Sequence, residues 1–133
     1  MRYLLDTNIC IDWLRGRRDI AQAIEDHGIR NCCISEITKA ELLFGQRLAM
    51  RRGVKADAGA LGRLLDLLET VPVSNAIELY ANEKDRLCSL GQPIEDFDLL
   101  IGCSAVAAGM VLVSGNTSHM SRIQGIRLEN WAD

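Results

Sequence analysis

Short apolar runs separated by helix-length segments constrain this chain more than any other feature. "RYLL", "NCCIS", "TVPVS" and "MVLVSG" are each too short for a stable helix, and "GIRLENW" is a weaker terminal example. Between them, "NICIDWLRG", "DIAQAIEDHG", "EITKAELLFGQRLAMRRG", "LGRLLDLLET", "NAIELYANEKDRLCSLG" and "FDLLIGCSAVAAG" carry helical spacing, and Gly28 stands where a helix would stop. Strands that are apolar without clear alternation are buried on both faces. Their alternation with helices predicts an α/β fold with a parallel sheet covered on both sides and joined by right-handed crossovers. In open sheets of this kind ligands gather beyond the carboxyl ends of the strands. The 133 residues fit one domain spanning 1–133, with no internal repeat and no linker. The stretch from Gly53 to Gly62 reads as a loop between helices.

Composition narrows the setting. An apolar fraction of 48% and a charged fraction of 25% are ordinary for a globular protein. No apolar run reaches the ~18 residues that span a bilayer, and the N-terminus lacks a signal-peptide layout. The expected location is the cytoplasm, with no membrane partner. The 5 cysteines include the adjacent Cys32 and Cys33 and form no C-x-x-C, which fits buried free thiols rather than disulfides or zinc. His27 and His119 read as structural or surface groups. The net charge of -3 argues weakly against nucleic acid. It conceals two basic clusters, however: Arg15, Arg17 and Arg18, then Arg47, Arg51, Arg52 and Lys55. Each alone reads as a solvated helix face; flanking the same acids, together they suggest a phosphate-backbone footprint.

The acids fall where ligands are expected. Asp6 ends the first apolar run, as a helix cap or a functional acid. Glu41 shares the spacing of Ile37, Phe44 and Leu48, an apolar stripe in which a carboxylate is costly unless paired or bound to a cation. Thr38 and Glu41 also match a capping box, although Ser35 is the better cap. Glu95, Asp96 and Asp98 open a later helix, where acids favour the macrodipole. Asp98 lies on a face with Ile101, Gly102 and Ala105, small enough to approach the sheet closely. The strand after this helix must run parallel to the others, so the helix begins on the rim that carries Asp6. Acids gathered there repel one another unless a divalent cation holds them ionised, and all-oxygen ligands favour magnesium or manganese. Ser114, Asn116 and Thr117 follow the last long strand on the same rim and could hold a water or a weaker ion site.

"LLDTN", "ITKAELLFG", "GQPIEDFDLLIG", "LVSGNT" and "IRLENW", in this order, resemble the PIN-domain ribonucleases, most closely the VapC toxins of bacterial toxin–antitoxin pairs. The resemblance runs from Tyr3 to Trp131. It implies a PIN-like three-layer α/β/α sandwich with a mostly parallel central sheet of four to five strands. It implies a magnesium-dependent endoribonuclease, with manganese a substitute, that hydrolyses RNA phosphodiester bonds and so inhibits translation; transfer RNA is the common target. Asp6, Glu41 and Asp98 match the family's catalytic and metal-binding acids, and Thr7 the hydroxyl beside the first. Asn116 stands where a fourth acid is frequent, with Asp96 either a compensating acid or a helix cap. The resemblance also implies a VapB-like antitoxin that covers the acidic groove, a homodimer, and higher toxin–antitoxin assemblies. The rival expectations are a catalytically weak or inactive PIN-like domain that binds RNA or a partner protein, and a receiver domain. The latter lacks an acceptor Asp after "TVPVS", where Ser74 and Asn75 stand instead.

Overall fold

The computed structural model describes residues 1–54 and 59–132. Strands β1 (Tyr3–Leu5), β2 (Cys32–Ser35), β3 (Glu69–Val71), β4 (Val111–Val113) and β5 (Leu128–Glu129) form one sheet in the order β3-β2-β1-β4-β5. Every pairing is parallel, with Leu5 opposite Val113 and Tyr3 opposite Cys32. Each expected strand is present, and the sheet is wholly rather than mostly parallel.

The strands send side chains alternately into two apolar layers. Leu4, Cys33 and Leu112 pack with Leu87, Leu99, Ile101 and Met120, which come from α5 (Ile77–Ser89), α6 (Asp96–Ala108) and α7 (Thr117–Met120). Leu5, Cys32, Ile34 and Val113 pack on the other side with Ile9, Ile20, Ile24, Leu42 and Leu64. Those residues come from α1 (Thr7–Leu14), α2 (Arg18–His27), α3 (Glu36–Arg51) and α4 (Ala60–Leu67). Double burial explains why the strands read as apolar runs rather than alternating ones. Among the described residues no helix is long and apolar enough to cross a membrane.

Two local details position the site. Ser35 ends β2 and caps α3, its Oγ accepting the Thr38 N–H at 3.1 Å. Gly109 closes α6 at φ 67°, a left-handed turn that glycine takes without steric cost, and the chain passes directly into β4. The small face of α6 differs from expectation. Gly102 faces Ile123 and Met120, not a strand: a Cβ there would lie 2.3 Å from Ile123 Cδ1. The close approach is to the connection between α7 and β5. Helix α7 itself and the 3-10 turns at Ile29–Asn31 and Ser74–Ala76 are too short to show a period in sequence.

Candidate active site

The strand order reverses direction at β1, with β2 and β3 on one side and β4 and β5 on the other. A crevice outside the carboxyl ends of β1 and β4 is the expected ligand site of such a sheet. Asp6 leaves the end of β1 there, bonded to β4 through its backbone N–H and the Val113 carbonyl at 2.9 Å. It caps α1, its Oδ1 accepting the Thr7 N–H at 2.8 Å. Ser114, fully buried at the end of β4, donates its hydroxyl to Asp6 Oδ2 at 2.7 Å and accepts the Asn116 N–H at 3.0 Å. Asp6 is therefore cap and rim acid together, and both of its oxygens are oriented although the residue is only 4% exposed.

A second chain of bonds reaches α3. The Thr7 hydroxyl donates to Glu41 Oε1 at 2.8 Å and lies 3.0 Å from the Thr38 hydroxyl. The capping box of Thr38 and Glu41 does not form: Ser35 caps the helix, and Thr38 turns towards Thr7. The apolar stripe around Glu41 is also not a core. Phe44 is 64% exposed, and Ile37 and Leu48 are half-buried. Glu41 is half-buried against α1 rather than by its own helix.

Asp98 stands in the first turn of α6, half-buried. Its carboxyl is pushed up to about 6, first by burial and then by the negative charge of Asp6, Glu95 and Glu41, with His119 pulling the other way. Acids from β1, α3 and α6 thus lie within electrostatic reach of one another. Among the described residues, no three His, Cys, Asp or Glu side chains are close enough to enclose a metal ion on their own. A hard cation of the magnesium type binds through one or two carboxylates and keeps much of its water, so it does not require such an enclosure. The oxygen-only donors and the excess negative charge at Asp98 both fit such an ion.

The remaining candidates divide. Asp96 points to α5, accepting from the Tyr80 hydroxyl and from Lys84 Nζ, each at 2.7 Å, and Lys84 holds its carboxyl below the usual range. Asn116 precedes α7, and its Oδ1 accepts from His119 Nδ1 at 2.7 Å, which places the imidazole proton on Nδ1. His119 therefore belongs to the rim and is not a remote surface group. Thr117, the first residue of α7, is exposed. Arg17 is taken up by Asp12 and Asp19, and Arg47 donates to Gln46 at 2.5 Å. Arg15, Arg18, Arg51 and Arg52 are exposed, while Lys55 lies outside the described residues. Beside Glu41, α1, α3 and α4 border a groove of about 390 Å³ lined by Ile11, Leu14, Leu42, Met50 and Leu61, with Arg15 at its wall. Sequence reasoning took Thr38 only as half of a capping box with Glu41 and missed the contact of its hydroxyl with Thr7. It also missed Glu83, a buried acid in a polar helix, held by Arg86 and by the Gln124 N–H at 3.1 Å.

The family model of the PIN domain matches residues 3–126. The chain is 28% identical to the tRNA(fMet)-specific endonuclease VapC of Salmonella typhimurium over 134 residues, covering 98% of both proteins. It is 31% identical to Ribonuclease VapC2 of Haemophilus influenzae over 133 residues, again 98% of both. Among solved structures, VapBC2 from Rickettsia felis bound to a DNA fragment from its promoter superposes with a TM-score of 0.89 at 29% identity, covering 99% of this chain and 100% of that one.

Proposed function

This chain belongs to the PIN-domain family as a VapC-type ribonuclease of toxin–antitoxin pairs, and on that premise we propose that Asp6, Glu41 and Asp98 are its catalytic acids and hold magnesium. The family's nucleases depend on a divalent metal. The observation that carries the assignment is geometric: Thr7 donates its N–H to Asp6 and its hydroxyl to Glu41, and Asp98 at the start of α6 lies within electrostatic reach of both. Manganese, with the same preference for oxygen, is the natural substitute.

When bound, the cation polarises a phosphoryl oxygen and offsets the charge that develops on phosphorus. The chain's own residues fix where this happens. Thr7 and Ser114 clamp Asp6 so that its carboxylate cannot rotate. Thr7 occupies one oxygen of Glu41 and leaves the other for the site. Asp98 approaches from α6, with His119 beside it. Asn116 spends its carbonyl on His119 and adds no charge. Asp96, paired with Lys84, is a helix-opening acid outside the set. Arg15, Arg18, Arg51 and Arg52 are exposed and have no ion-pair partner among the described residues, which suits them to meet the RNA backbone; Arg17 and Arg47 already have partners.

The substrate we favour is transfer RNA, the kind of RNA named for the Salmonella relative. The partner is a VapB-like antitoxin, whose apolar segment fits the groove between α1, α3 and α4 and whose entry there would cover Glu41. A homodimer within a larger toxin–antitoxin assembly, in the cytoplasm, is consistent with the VapBC structures. Asp6→Asn tests the acid assignment, because the asparagine Oδ1 can still cap α1 while the Ser114 hydroxyl turns to accept from the new amide. The variant should fold and melt as a single transition yet cut no RNA in magnesium. Cleavage at the unaltered rate would refute the assignment.

A further inference from the structure

Thr38 is fully buried in α3, one turn before Glu41. Among the described residues its hydroxyl has one partner, the Thr7 oxygen at 3.0 Å. Thr7 Oγ1 carries a single proton, and Glu41 Oε1 at 2.8 Å is an acceptor. A hydroxyl that gives its proton to a carboxylate can only accept from its other neighbour. The direction of the chain is therefore fixed: Thr38 donates to Thr7, and Thr7 donates to Glu41.

We propose that Thr38 is a positioning residue, whose buried hydroxyl aims the Thr7 proton at Glu41 and so holds the Glu41 carboxylate in place for the cation. This rests on the assignment of Glu41 above. Without the Thr38 donor, Thr7 keeps its place on α1, but its hydroxyl is no longer confined to the rotamer that meets Glu41. The glutamate, half-buried on a long flexible stem, is then held from one side fewer. Outer partners of metal ligands act in this way on affinity and on rate.

The test compares Thr38→Val, which keeps shape and removes the hydroxyl, with Thr38→Ser, which keeps the hydroxyl and removes a methyl. Manganese affinity is read by the paramagnetic resonance of the free ion, and kcat and KM are read on RNA. Thr38→Val should bind manganese about 10-fold more weakly and lose about 10-fold in kcat with KM for RNA unchanged. Thr38→Ser should restore both. In a double-mutant cycle, Thr38→Val should add nothing to Thr7→Val. Should Thr38→Val not fold, Thr38→Ala takes its place with the same expectations. A Thr38→Val protein indistinguishable from the unaltered chain, a Thr38→Ser protein as impaired as Thr38→Val, or additive losses in the cycle would each overturn the proposal while leaving the acid assignment standing. If the unaltered chain neither binds manganese nor cuts RNA, the acid assignment falls, and the role of Thr38 falls with it.

Discussion

Ser114 donates its hydroxyl to Asp6 Oδ2 across 2.7 Å, although the two residues are 108 positions apart. The bond follows from the sheet: Leu5 pairs with Val113, so the next residue on each parallel strand meets the other at the rim. Ser114→Ala would leave a buried carboxylate oxygen without its donor. Stability should fall by about 1–2 kcal/mol. Cleavage should fall about 10-fold, since Asp6 would then be held by the Thr7 N–H alone. Urea titration and a single-turnover assay measure the two effects. A loss of stability with full activity would make Ser114 a structural residue only.

Gly102 gives a prediction of packing. An added methyl would strike Ile123 Cδ1, the far end of a side chain that is itself only 2% exposed and wedged beside Met120. Gly102→Ala should cost about 1–3 kcal/mol, as overpacked cores do. The Ile123 Cγ1 lies at 3.7 Å, an ordinary contact, so Ile123→Val in the same chain should recover most of the loss. Melting temperatures of the single and double variants decide it; a double variant no better than the single would show that the clash lies elsewhere.

Sequence carried the sheet because each strand is short, apolar and followed by a polar rim residue such as Asp6 or Ser114. It placed Asp98 through topology alone, since a helix leading into a parallel strand must start on the upper rim. Glu41 reached the same rim by an unsound route: its stripe is surface, with Phe44 mostly in solvent, and the contact that matters is with Thr7 on another helix. The roles of Thr38 and Glu83 could not be read in advance. Thr38 meets Thr7, and Glu83, beside its helical neighbour Arg86, takes the Gln124 N–H; Thr7 and Gln124 lie on segments that only the folded chain brings near. The pairing of Asp96 with Lys84 was hidden for the same reason, because α5 and α6 come side by side in the folded chain over the core they share.

Glu83 predicts acid sensitivity away from the rim. Arg86 holds its carboxyl below the ordinary glutamate range, the Gln124 N–H adds to the effect, and burial opposes it. Arg86 also donates to the Arg122 carbonyl at 2.7 Å, so the pair fastens the connection that carries Ile123. A lowered value means that the folded state binds the proton more weakly than the unfolded one. The stabilisation is full at neutral pH and drains away as pH falls through the folded value. Glu83→Gln should cost about 2 kcal/mol at pH 7. The gap to the unaltered protein should narrow as pH falls through the lowered folded-state value, where the unaltered carboxyl takes up its proton. Denaturation at a series of pH values checks it; a gap independent of pH would mean that the charge contributes nothing.

Asp98 has the opposite sign. Burial and then the neighbouring acids raise its carboxyl to about 6, so in the metal-free protein the folded state binds this proton more tightly than the unfolded chain does. Stability then falls as pH rises from the ordinary aspartate value to about 6, and stays lower above it. Solvent reaches the half-buried group and screens much of the repulsion, which leaves about 1 kcal/mol of strain at pH 7.5. Asp98→Asn removes that charge. Without added metal it should melt above the unaltered protein at pH 7.5 and match it near pH 4. Magnesium should then raise the melting temperature of the unaltered protein and barely move that of the variant, because the cation acts by offsetting the charge the substitution has already removed. A variant less stable than its parent at pH 7.5 in chelator would show that the rim acids are not crowded, and the case for a cation among them would lose its physical basis.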